Sequence, residues 1–111
     1  MADFLSQEVT DYKLAMFCDV TAYIDDSVGH MKSLLSSLIR FYGGKVADML
    51  DSAQTSVSHV FVNGKSHQTI ADLKSTRRRL KEGKLFRILD YNFVQQSIST
   101  GTIADVTQFE L

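Results

Sequence analysis

Arg40-Phe41-Tyr42-Gly43-Gly44-Lys45-Val46 is the stretch that decides the fold of this 111-residue chain. Just before and into it, Met31, Leu34, Leu35, Leu38, Ile39 and Tyr42 recur at spacings of three and four, the buried stripe of an amphipathic helix. The stripe stops on two glycines. A glycine just past the last apolar helical residue can take the left-handed conformation that closes a helix without a Cβ clash. Lys45 to Leu50 then reads as a short strand, so the join is a helix handing over to a strand.

Working upstream, Met16, Cys18, Val20, Ala22 and Ile24 alternate with Phe17, Asp19, Thr21 and Tyr23, which is strand period. Both sets carry apolar groups, so this strand is expected to be central and covered on both faces. Asp25, Asp26, Ser27 and Gly29 make a turn and supply helix caps. Before Ala15 the periodicity is weak, and residues 1–13 read as a leader or truncated inter-domain linker, with the domain itself at 14–111.

Downstream, Asp51 to Ser56 is a polar turn and Val57 to Val62 a strand rich in β-branched and aromatic residues. Asn63-Gly64 signals a turn. A second helix starts between Ser66 and Thr69, buries Ile70, Leu73 and Leu80, and closes near Gly83. Leu85 to Leu89 forms a last strand. Asp90 stands where a third helix needs its N-cap, and that helix runs through Phe93, Val94 and Ile98 to Gly101. The order is β-α-β-β-α-β-α, with Ile103, Val106, Phe109 and Leu111 expected to pack back as a tail.

The bulk composition sets limits. A net charge of -1 leaves no global field to draw the chain to nucleic acid or an acidic membrane, so any such contact needs a local patch. A single cysteine, Cys18, excludes an internal disulfide and fits a reducing compartment. Placed mid-strand, its thiol is expected to be buried and inert. No apolar run approaches the ~20 residues of a membrane span.

The sequence offers no catalytic constellation. It contains neither a G-x-x-x-x-G-K-[ST] loop nor G-x-G-x-x-G. His30, His59 and His67 lack zinc-ligand spacing, and His59, inside an apolar strand, reads as a hydrogen-bonded structural histidine. None of Lys45, Lys65 and Lys84 is followed by the Asp-Gly of an adenylated lysine. No cofactor is expected. The one concentration of charge is Lys74, Arg77, Arg78, Arg79, Lys81 and Lys84, with Arg87 on the next strand. On a helix, Lys74, Arg78 and Lys81 share one face and Arg77 a neighbouring one. Such a stripe is either a solvated surface or a dock for DNA phosphates or an acidic partner, with salt-dependent affinity.

The element order, the Gly43-Gly44 helix end and the strand Val57-Ser58-His59-Val60-Phe61-Val62 together resemble the BRCT domain, over about Ala15 to Ser99. Phe93 stands where that family carries a tryptophan on its third helix; it supplies an apolar ring but no indole donor. Within the family, the likeness is to the C-terminal BRCT domain of DNA ligase IV, the ligase of non-homologous end joining. It rests on Arg40-Phe41, Gly43, Lys45-Val46, Val57-Ser58-His59-Val60, Ala71-Asp72, Lys74, Arg77-Arg78, Ile88-Leu89, Phe93-Val94 and Ser97-Ile98 in that order.

The resemblance implies a three-layer α/β domain: a four-stranded parallel sheet, the first and third helices on one face and the second on the other. It implies a non-catalytic interaction module of an ATP-dependent DNA ligase, in the nucleus, helping to hold the dimeric coiled-coil scaffold protein of double-strand break repair. Members of the family that read phosphopeptides use a Ser/Thr-Gly pair after the first strand and a lysine on the second helix. Here the turn is Asp25-Asp26-Ser27, whose carboxylates repel phosphate, while Lys74 or Arg77 stands for the cation. Phosphopeptide binding and direct DNA binding through Lys74, Arg77, Arg78 and Lys81 are the alternatives to scaffold binding.

Overall fold

The computed structural model of the protein describes residues 15–48, 50, 57–79 and 86–111. Strand β1 (Thr21–Ile24) leads through a 3-10 turn at Asp26–Val28 to helix α1 (Met31–Phe41) and strand β2 (Lys45–Ala47). Strand β3 (His59–Val62), helix α2 (His67–Arg79), strand β4 (Arg87–Asp90) and helix α3 (Asn92–Thr100) follow. The strands form one sheet in the order β2-β1-β3-β4, every pair parallel. The expected order and central first strand are therefore present.

Side chains alternate across this sheet with period two. Ala22, Ile24, Phe61 and Leu89 point to one face, where Leu35 and Ile39 of α1 and Phe93 and Val94 of α3 cover them. Val60, Val62 and Ile88 point to the other, against Leu73 and Ile70 of α2. This is the expected three-layer arrangement, two helices on one face and one on the other. Phe93 has no exposed surface, and its ring lies within 5.8 Å of Phe61 and 5.9 Å of Phe109. It fills the core slot of the third helix as an apolar ring.

The glycine join closes α1 with a Schellman motif. Gly44 donates its N–H to Ile39 O at 2.8 Å and Gly43 to Arg40 O at 3.1 Å, with Gly43 at φ 89°. The two glycines do different work. Gly43 supplies the left-handed backbone; Gly44 supplies room, because a Cβ there would lie 2.6 Å from Ile39 Cγ2 and 3.1 Å from Phe17 Cβ.

Several boundaries differ from the sequence reading. The first strand begins at Thr21, and residues 15–19 are a turn in which Cys18 is exposed, not buried. Phe17 and Val20 take the core positions, three apart, with Phe17 N–H bonded to Tyr42 O at 2.8 Å. Alternation over residues 16–20 thus came from a turn with two inward anchors. Leu34 is half exposed, since Leu35 and Ile39 already fill the sheet-facing side of α1. Strand β2 stops at Ala47, before Leu50, and β3 starts at His59, after Val57. Asp90 ends β4, and Tyr91 occupies the N-cap of α3. Residues 1–13, Leu80 and the close of α2 near Gly83 lie outside the described residues.

The tail packs back as expected at Val106, Phe109 and Leu111, whereas Ile103 is half exposed. Leu89 and Glu110 form an antiparallel bridge, Asp90 N–H reaches Phe109 O at 3.0 Å and Leu111 N–H reaches Ile88 O at 2.9 Å. No helix among the described residues is long and apolar enough to cross a membrane.

Candidate functional site

Two surfaces carry the residues singled out above, the exposed side of α2 and the turn after β1. On α2, Leu73 enters the core while Arg78 is exposed and Lys74 half-buried. Lys81 lies outside the described residues. Arg77, one turn beyond Leu73, does not join Lys74 and Arg78 as a free cation: its Nη1 donates to Phe86 O at 3.3 Å. That bond ties α2 to the entry of β4. The spacing of three and then four from Ile70 through Leu73 to Arg77 was the sequence signal for this inward role.

The turn after β1 is acidic and internally satisfied. Asp25 Oδ2 accepts the Ser27 N–H at 2.8 Å, capping the 3-10 turn. Asp26 Oδ1 pairs with Lys32 Nζ at 2.6 Å, and this bond holds the Lys32 ammonium above its usual pKa. Burial first, and then the Asp25 charge, raise the Tyr23 phenol. Ser27 Oγ accepts the Asn63 N–H at 3.1 Å, which fastens the turn to the end of β3. A phosphate brought here meets the Asp25 carboxylate and an Asp26 carboxylate paired with Lys32, while the Ser27 hydroxyl, which accepts from Asn63, keeps its own proton to donate.

His59 lies half-buried in β3, its Nδ1 2.6 Å from Ser58 Oγ, which also reaches Thr21 O at 3.3 Å. Its ring stacks at 6.2 Å on both Phe61 and Phe93. Burial, with a smaller contribution from Arg87, lowers its pKa below 6.5. Arg87 itself pairs with Glu110 at 3.1 Å. Among the described residues no group of three or more His, Cys, Asp or Glu gathers as a metal site would require.

No family model matches the chain, and no curated protein matches it. Solved structures do match. The BRCT domain of human DNA repair protein REV1 superposes with a TM-score of 0.65 at 16% identity, over 87% of this chain and 88% of that one. This is the BRCT fold. BRCT domains 3 and 4 of S. pombe Rad4 match with a TM-score of 0.65 at 16% identity, over 90% of this chain and 52% of that longer one. BRCT domains 1 and 2 of Rad4, in complex with a Mdb1 phosphopeptide, match with a TM-score of 0.56 at 14% identity, over 87% of this chain and 47% of theirs. At these identities the likeness to BRCT domains is one of fold, and the site has to be argued from the residues present.

Proposed function

We propose that the chain is a non-catalytic protein-protein interaction module of a nuclear DNA repair protein. The observation that carries this reading is a BRCT fold in which, among the described residues, the polar groups at the turn after β1, in β3 and on the inner side of α2 hold turns and strands together. Asp25 caps, Ser27 fastens β3, Arg77 holds β4, and His59 sits neutral in an aromatic stack. The more specific reading follows the residue order from Arg40-Phe41 to Ser97-Ile98. It makes the parent polypeptide an ATP-dependent DNA ligase of non-homologous end joining, and the partner its dimeric coiled-coil scaffold protein.

Phosphopeptide binding is the second reading, supported by the fold shared with the Rad4 pair that holds a phosphopeptide. The acidic turn at Asp25-Asp26 weighs against it, since like charges repel within a few ångströms of each other. DNA binding through Lys74, Arg78 and Lys81 is the third.

The deciding experiment is a pull-down of the purified coiled-coil scaffold with this chain alone and with the complete inter-BRCT linker restored. Binding that appears or strengthens with the linker supports the ligase reading. No binding by either protein removes that reading, and a salt-sensitive DNA affinity lost on charge reversal of Lys74, Arg78 and Lys81 replaces it.

A further inference from the structure

The two edges of the sheet are treated differently by the chain. At β4 the tail covers the edge through the Leu89 to Glu110 bridge. At β2 nothing among the described residues pairs with the outer edge. Lys45 donates its N–H to Val20 O at 3.0 Å, toward β1; strand alternation therefore turns the N–H and C=O of Val46 outward.

A cleft of about 530 Å³ lies beside that edge, between β2 and the outer side of α1. Ser33, Ser36, Ser37 and Arg40 line its helical wall at spacings of three, four and seven, so all four sit on one stripe. Among the described residues no side-chain hydrogen bond or ion pair engages any of them. Charge is uneven along the cleft. At the end where α1 begins, Lys32 is already paired with Asp26, and Asp48 contributes a carboxylate. At the end where α1 closes, Arg40 is exposed and, among the described residues, unpaired beside the Ser36 and Ser37 hydroxyls.

We infer that this cleft takes an extended segment of a partner protein, added as a further strand outside β2, with an acidic side chain over Arg40. Main-chain bonds to Val46 supply affinity, and the guanidinium with its flanking hydroxyls selects a carboxylate. The inference rests on reading the chain as an interaction module and assigns that module a surface separate from the α2 stripe and bordering the Asp25-Asp26 turn only at its Lys32 end.

Three soluble, β-branched, acetylated synthetic peptides that differ only in a central glutamate, lysine or glutamine serve as probes. They are titrated against the isotope-labelled 111-residue chain and followed by amide chemical shifts. The expected result is saturable shifts at Val46, Ser36, Ser37 and Arg40, with the glutamate peptide bound roughly tenfold tighter than the lysine peptide. Arg40→Glu, an exposed change, inverts that order. Val46→Pro removes the outward N–H, together with a half-buried side chain packed against the core, and abolishes binding while the remaining spectrum stays folded. Equal affinity for all three peptides, shifts confined to α2 or to the Asp25-Ser27 turn, or no saturable shift at Val46 overturns the inference. None of these outcomes alters scaffold capture in the pull-down, so the two readings fail separately.

Discussion

Gly44 and Ile39 are in direct competition for the same space: the glycine donates its N–H to the Ile39 carbonyl at 2.8 Å, and a methyl group on Gly44 would fall 2.6 Å from Ile39 Cγ2. Ile39 is wholly buried and Phe17 Cβ stands on the other side, so neither neighbour can retreat cheaply. Gly44→Ala is expected to cost about 1 to 3 kcal/mol through overpacking. Gly43→Ala should cost roughly 1 kcal/mol by a different route, the left-handed φ of 89°, and Gly43→Val more. Urea unfolding of the two alanine variants measures both; equal wild-type midpoints would show that the α1 to β2 join is loose.

Asp90 holds two turns at once. Its Oδ1 accepts the Gly64 N–H at 2.9 Å and its Oδ2 the Asn92 side-chain amide at 2.7 Å. Asp90→Ala leaves the Gly64 donor part-buried without its partner and is expected to destabilise by about 1 to 2 kcal/mol. Asp90→Asn, which keeps an acceptor, should recover most of the loss in the same unfolding assay.

Arg77 and Arg78 are neighbours in sequence with opposite expectations. Arg77→Glu removes the bond to Phe86 O and should cost about 1 kcal/mol of stability. Arg78→Glu, at an exposed position, should stay within about 0.5 kcal/mol of wild type. A charge-reversal test of DNA binding is therefore clean at Lys74 and Arg78 and confounded at Arg77. Paired thermal melts and DNA titrations at two salt concentrations separate the effects.

His59 gives the domain a pH dependence with a definite sign. Its folded pKa lies below the unfolded 6.5 because burial, and then Arg87, oppose the imidazolium. Its contribution is complete above the unfolded pKa. As pH falls below 6.5, the unfolded chain binds a proton that the folded chain refuses, and stability declines until the folded pKa is passed. Unfolding free energies at about pH 7.5 and about pH 5.5 should differ more for wild type than for His59→Phe. Identical pH slopes would show that the ring is freely solvated.

Much of this fold was legible because the deciding signals are local. The spacing of Met31, Leu35 and Ile39 set α1, the glycines set its end, and Gly101 at φ 79° closes α3 where the periodicity stops. What sequence periodicity missed was decided by distant partners. Phe17 and Val20 look like strand alternation, yet Phe17 is drawn inward by the Tyr42 carbonyl and by Phe93, and Cys18 is turned out to solvent. Arg77 was grouped with Lys74 and Arg78 because charge patterning records side-chain type alone; the Phe86 carbonyl that engages it comes from another element. The acidic turn after β1 was visible as Asp25-Asp26-Ser27, whereas the commitment of the Ser27 hydroxyl to Asn63 depends on how β1 and β3 pair.

Removing the last contacts tests the tail. Phe109 meets Phe93 edge to face at 5.9 Å, and its carbonyl accepts from Asp90. Phe109→Ala should destabilise by about 2 kcal/mol, less than a fully buried phenylalanine because Phe109 is only half-buried. Hydrogen exchange at the Leu111 amide, bonded to Ile88 O at 2.9 Å, should speed up in step with that loss.

The aromatic cluster around Phe93 has a kinetic meaning as well. It gathers Phe17, His59, Phe61 and Phe109 from well-separated parts of the chain, and among the described residues every strand pair of the sheet is parallel, so the sheet offers no hairpin as an early template. Loop closure has to be completed over long separations before any of these rings gains its neighbours. The domain should therefore assemble slowly and in a single cooperative step, and fragments ending between Phe61 and Phe109 should gain little ordered structure. Within a larger polypeptide, such a unit tolerates neighbours at its ends far better than interruption in its middle.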